Sequence, residues 1–374
     1  LLLLILIGSY LCIIGGYGSD EDTIPMIGTF LNLMNGNFMT SRFTGYPVAE
    51  FIIGFSAYNF GSAFINIIVF FSFIVGSAIF FYCLEEEFNF NKIIFYLLIL
   101  ISNPILFFDN LEPVDYSFAF LFFSLGFLFL VKNKIELAVI FFGICIGTRI
   151  NFAPFIVVLI YFNNIVFLQD KYRKASITLS SIFIGCLFYV PVWIESSLGF
   201  DWLRAGRPTG GLIEYFTRFS YKVFLVIGII QFLIILFIIF KKKYLVTYYK
   251  NNNLIFYLVF FNLLIFLYIP AELSYLQPFL IFIYYLIFKR FETKFIFLLI
   301  FFNLISWIIQ FQPINIIYKY ENNCDPIVAI GAEIRPKVAK GYYFDFLENR
   351  SKINCWIDIK SEMGLKISKG ESLK

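Results

Sequence analysis

Apolar runs long enough to cross a bilayer recur from the first residue to about residue 312, and nothing else in the chain constrains its fold as strongly. A crossing helix needs roughly 17–25 mostly apolar residues. Such runs fall at about 1–17, 58–83, 93–108, 115–131, 136–148, 151–168, 175–195, 222–240, 253–270, 277–288 and 295–312, the fifth and tenth being short. The expected fold is an all-α polytopic membrane protein of about eleven transmembrane helices. With 60% hydrophobic and 14% charged residues, 53 of them Phe, the chain carries more apolar surface than a globule of its size can hide. A soluble enzyme and a disordered chain are excluded on that ground. A net charge of +4 is too small to suggest nucleic acid as a partner. The absence of His removes imidazole bases, ligands and pH switches.

Orientation follows from Lys and Arg in the short loops. One set of loops holds Lys92, Lys132, Lys134, Lys171, Arg173, Lys174, Lys241, Lys242, Lys243, Lys250, Lys289, Arg290 and Lys294; the other holds Arg42, Arg149, Arg204, Arg207, Arg218 and Lys222. The richer set is expected in the cytoplasm. That puts the N-terminus inside and, with an odd number of spans, the tail from about residue 313 outside. The chain opens on Leu1, so a few residues are expected to precede it, and the first run reads as an uncleaved span because no small-x-small cleavage site follows it. Two domains are expected: a transmembrane one, 1–312, and a small extracytoplasmic α+β appendage, 313–374. An outside tail permits a disulfide between Cys324 and Cys355; two unrelated thiols is the other reading.

Polar residues cluster at the outer ends of the spans. The first outer loop carries Asp20-Glu21-Asp22, then Ser41-Arg42-Phe43-Thr44-Gly45-Tyr46-Pro47-Val48-Ala49-Glu50. A carboxylate at headgroup level can serve as a general base or bind a divalent metal; an ordinary solvated acidic loop is the other reading. Between them, Ile24, Ile27, Phe30, Leu31 and Met34 recur near helical spacing, which predicts an interfacial helix. The run 47–59 reads as a second, since 47–83 is too long for one span. The other clusters are Asp109-Asn110-Leu111-Glu112-Pro113-Val114-Asp115, Gly147-Thr148-Arg149, the loop 201–211 with Arg204 and Arg207 among Gly and Pro, and Glu272-Leu273-Ser274-Tyr275. Plainer readings are a helix cap and turn for 109–115, a loop that merely faces water for 201–211 and an interfacial anchor for Glu272 beside Tyr275. Arg matches phosphate oxygens in a fork. Acids and arginines meeting above one apolar bundle suit a reaction between a lipid-linked phosphate and a polar acceptor.

An acidic motif directly after the first span, an interfacial helix and then Ser-Arg-x-x-Gly-x-Pro-x-x-Glu (41–50) resemble the membrane glycosyltransferases of the GT-C type, which include protein mannosyltransferases and the aminoarabinose transferases of lipid A. The resemblance covers the layout of most of residues 1–290; Gly147-Thr148-Arg149 and Glu272-x-x-Tyr275-x-x-Pro278 are similar to later features of the family. It implies a polyprenyl-phosphate-sugar donor, an acceptor that is a glycan, lipid or protein, and transfer with inversion on the outer face, as in a bacterial inner membrane. The family's first-loop acid maps to Asp20, Glu21 or Asp22, with Asp20 favoured and Asp22 next. Its second acidic position maps to Asp115 or Asp109. Arg204, Arg207 or Arg149 would hold the donor phosphate, and Arg42, Glu272 and Tyr275 lie where the acceptor would sit. A divalent metal would bind through Asp20, Glu21 and Asp22, although the His that some members place beside the first-loop acid is absent. No Gly-rich nucleotide loop is present. A polysaccharide polymerase and a non-enzymatic lipid or glycolipid flippase are the alternatives.

Overall fold

The computed structural model describes residues 1–17, 23–36, 38–41, 45–85, 89–162, 170–195, 211–240, 252–268, 273–312, 315–316, 319–320, 326–327, 332–333, 337–340 and 342–343. Down to residue 306 the described chain is helical. The helices are α1 (Leu2–Ile14), α2 (Thr23–Met34), α3 (Pro47–Leu84), α4 (Phe90–Ser102), α5 (Pro104–Phe108), α6 (Asp115–Val131), α7 (Ile135–Thr148), α8 (Ala153–Phe162), α9 (Lys171–Phe188), α10 (Val190–Glu195), α11 (Gly211–Ile227), α12 (Ile229–Phe240), α13 (Asn252–Tyr268), α14 (Gln277–Arg290) and α15 (Thr293–Ser306).

Most of the expected runs form helices, but many of those helices are shorter than the runs. Among the described residues, one helix, α3, is long and apolar enough to cross a membrane, and Phe90–Ser102 with Pro104–Leu111 would make a second if that pair, bent by 93°, counts as one span. Others, such as Leu2–Ile14, Asp115–Val131 and Thr293–Ser306, are apolar but run to 17 residues or fewer. At 1.5 Å per residue, 17 residues reach about 25 Å, short of a hydrocarbon core of about 30 Å.

Local chemistry explains the breaks. In α3, Gly61 takes φ 80° and ψ −178°, so the helix kinks two residues past the end of the interfacial run expected at 47–59. Pro104 cannot donate a backbone hydrogen bond and pushes the residue before it out of the helical region. Asn103 accordingly is extended, and its side chain caps α5 by accepting from the Leu106 amide. Gly228, at φ 85°, divides the run expected at 222–240 into α11 and α12.

The bundle packs through phenylalanines and small residues. Phe80 meets Phe120, Phe123, Phe127 and Phe282 at ring-centroid distances of 5.4–6.2 Å. A Cβ at Gly76 would lie 3.0 Å from the Leu121 backbone, so glycine there sets how closely α3 approaches α6, as small residues do between membrane helices. Large apolar side chains also point outward: Leu2, Leu179, Phe183, Phe256 and Phe301 are each more than half exposed. An all-helical body with an apolar exterior is compatible with a membrane.

The last run ends earlier than expected. α15 stops at Ser306, and the chain enters β1 (Ile309–Gln312), which pairs antiparallel with β6 (Lys337–Lys340), Ile309 opposite Lys340. Inside that pair, β2 (Asn315–Ile316) meets β5 (Ala332–Glu333), and β3 (Lys319–Tyr320) meets β4 (Pro326–Ile327), both antiparallel. Cys324 and Cys355 lie outside the described residues.

Candidate functional site

Four segments far apart in sequence deliver their ends to one place. α6 begins at Asp115, where a carboxylate favours the positive end of the helix dipole. α7 ends at Thr148, and Arg149 follows in extended conformation, φ −156° and ψ 110°, its cation at the negative end of that helix. Tyr46 is the N-cap of α3 with Pro47 in the first turn. Tyr275 lies in a 3₁₀ turn, Leu273–Leu276, before α14.

Arg149 is the centre. Its side chain has no exposed surface, and its Nη1 donates to Asp115 Oδ1 at 2.5 Å, with the Asp115 side chain 3% exposed. The guanidinium carbon lies 3.4 Å from the Tyr116 ring centroid, 4.7 Å from that of Tyr46 and 4.8 Å from that of Tyr275. Tyr116 and Tyr275 also meet edge to face at 5.7 Å. Three rings and one carboxylate therefore replace the hydration of a cation that stays charged in any protein. Arg149 Nε and Nη2 and the Tyr116 hydroxyl are buried without a hydrogen-bond partner among the described residues. A buried charged donor left in that state is costly and calls for a partner.

Glu50, 1% exposed, holds the neighbouring loop. Its Oε1 accepts from the Ser41 amide at 3.1 Å, the Tyr46 amide at 3.2 Å and, at close range, the Ser41 hydroxyl. The Ser-to-Glu motif is thus a clasp that closes the loop onto the start of α3. Gly45 takes φ 60°, and a Cβ there would lie 2.7 Å from Val192 of α10. The loop is anchored to α10 again where the Thr40 amide donates to Glu195 Oε2 at 2.8 Å.

Of the residues expected at the site, Asp115, Arg149 and Tyr275 come together. Asp109 lies on the turn after α5, where its Oδ2 accepts from Gln277 Nε2 at 3.5 Å. Asp20, Glu21, Asp22, Arg42, Arg204, Arg207 and Glu272 lie outside the described residues. The structure sets Arg149 and Asp115 on each other, an arrangement that their separate roles as phosphate ligand and second acid did not foresee. Tyr116 and the clasp role of Glu50 were also missed, although Tyr116 adjoins Asp115 and Glu50 closes the quoted motif. Among the described residues, no three Cys, Asp or Glu side chains gather in a form that could hold a metal.

A second polar group joins the two broken helices. Asn103 donates to the Val226 carbonyl at 3.3 Å and to the Tyr284 hydroxyl at 3.0 Å. Asn303 donates to Ser102 Oγ and to the Tyr284 hydroxyl, both at 3.2 Å, and accepts from Gln231 Nε2 at 3.2 Å. Trp307 Nε1 donates to the Ser102 carbonyl at 2.9 Å. Elsewhere, Lys289 pairs with Glu85 at 2.5 Å, and the Tyr285 hydroxyl donates to the same carboxylate at 3.1 Å. Comparison of the chain with protein-family models, curated proteins and solved structures finds no match.

Proposed function

We propose that the chain is a membrane glycosyltransferase that moves a sugar from a polyprenyl-phosphate donor to an acceptor on the outer face of a bacterial inner membrane. The observation that supports it most is the Arg149 guanidinium, committed to Asp115 on one edge and carrying unpartnered Nε and Nη2 donors on the other. That free edge matches the fork of a phosphate. In this reading the chain crosses the membrane about eleven times, with the N-terminus cytoplasmic and the tail outside. The Asp115 carboxylate and the three tyrosines hold the guanidinium in place, and Arg204 and Arg207 bring further charge to the donor phosphate. Asp20 or Asp22 takes the proton from the acceptor hydroxyl. The acceptor oxygen attacks the anomeric carbon, the bond from that carbon to the phosphate oxygen breaks, and polyprenyl phosphate leaves with the electron pair. The carbon is inverted.

A flippase is the second reading, favoured by the uncharged polar network of Ser102, Asn103, Gln231, Tyr284 and Asn303 inside the helical body. The readings part on one assay. Full-length protein in lipid nanodiscs, given a polyprenyl-phosphate sugar and membrane glycan acceptors, releases free polyprenyl phosphate if it is a transferase. A flippase changes the side of the donor in vesicles and releases none. Arg149→Lys keeps the charge but loses the forked edge, so it weakens donor use while Asp115 remains paired.

A further inference from the structure

Where the two broken helices meet the tail, a small cavity of ≈ 30 Å³ is lined by Asn103, Gln231, Ser306, Gln310 and Tyr342 together with apolar residues such as Ile305, and none of the described lining residues carries a charge. The lining reaches the surface at Ile309, which is 45% exposed. Gln310 is 5% exposed; its Nε2 donates to the Tyr342 hydroxyl at 3.2 Å, while its Oε1 is buried with no hydrogen-bond partner among the described residues. Gly228, at φ 85°, leaves room for Gln231: a Cβ there would lie 2.2 Å from its Oε1.

We propose that this cavity binds the hydroxymethyl arm of an uncharged sugar or polyol. Its volume holds a group of roughly two water molecules, which is the size of a CH₂–OH arm and not of a ring. Beside the unsatisfied acceptor, Gln310 Oε1, the lining presents apolar walls that a water cannot use. A hydroxymethyl group satisfies both, its methylene against Ile305 and its hydroxyl donating to Gln310 Oε1. An ionised arm is rejected, because it would be buried with no counter-charge. The site lies at the same end of the bundle as Arg149. α5 runs from Asn103 to Phe108, the next residue, Asp109, accepts from Gln277, and Tyr275 of the cage lies two residues before Gln277.

The test uses full-length protein in lipid nanodiscs and ligand-observed saturation-transfer NMR with three probes: glucose, xylose, which lacks the arm, and glucuronate, which carries a carboxylate in its place. The expected result is binding of glucose, with saturation strongest at its C6 protons, and affinity weaker by about three- to tenfold for xylose and by more for glucuronate. Gln310→Ala brings glucose down to the xylose level. Equal binding of the three sugars, or no glucose binding to wild-type protein, overturns the inference. The comparison within wild-type protein decides even if Gln310→Ala does not fold. The inference is independent of the transferase reading: transfer lost with Arg149 and hydroxymethyl recognition lost with Gln310 are separate outcomes.

Discussion

Arg149 and Asp115 lie 34 positions apart in sequence and meet with almost no exposure. Removing one partner of a buried ion pair strands the other charge, which costs about 3–5 kcal/mol, whereas apolar replacement of both is often neutral or stabilising. Asp115→Ala is therefore expected to lower the thermal midpoint of the detergent-solubilised protein sharply, and Asp115→Leu with Arg149→Met to restore it. In the proposed reading the double variant folds and transfers nothing. A transfer rate near wild type in that folded variant would reduce the pair to a structural tie. These residue types at the ends of apolar runs were legible in the sequence as candidates. Their pairing was not, because nothing in one chain's spacing says which turns meet, and the tyrosine cage looks in sequence like ordinary interfacial aromatics.

Among the elements, the loop before α3 depends on Glu50, which accepts from Ser41 and from the Tyr46 N-cap amide. Hydrogen bonds to a charged group contribute about 1.5–3 kcal/mol. Glu50→Ala is expected to speed hydrogen exchange at the Ser41 and Tyr46 amides by roughly ten- to a hundredfold, read by mass spectrometry; unchanged exchange would show that the clasp does not hold the loop. The periodicity of 24–34 predicted α2, and the excess length of 47–83 predicted a break that Gly61 supplies two residues later. The breaks at Asn103 and Gly228 escaped notice. Hydropathy averages over a single proline or glycine, while backbone geometry does not: Pro104 removes one donor and Gly228 adopts a positive φ, each enough to end a helix. The expected last span overran for a related reason, since Ile309 and Phe311 are as apolar in a strand as in a helix.

For the whole molecule, the apolar character was legible from composition alone, and the structure carries it as an all-helical body with outward-facing Leu and Phe. The number of crossings was less so, because lengths read from apolar runs ignore the breaks. The Lys and Arg asymmetry makes its own prediction: a reporter active only in the cytoplasm, fused at Lys374, should be silent, and a strong signal there would reverse the orientation of the tail and of the face on which Arg149 sits.

The proposed chemistry meets its most direct test in the release of polyprenyl phosphate by the full-length protein in nanodiscs, given a polyprenyl-phosphate sugar and acceptor. The wild type should release it in step with transfer, and either Asp20→Asn or Asp22→Asn, whichever removes the base, should cut the rate by about 10²–10⁴-fold, the usual contribution of general-base catalysis, with the protein still folded. No release from the wild type, or both variants as active as the wild type, would contradict the account.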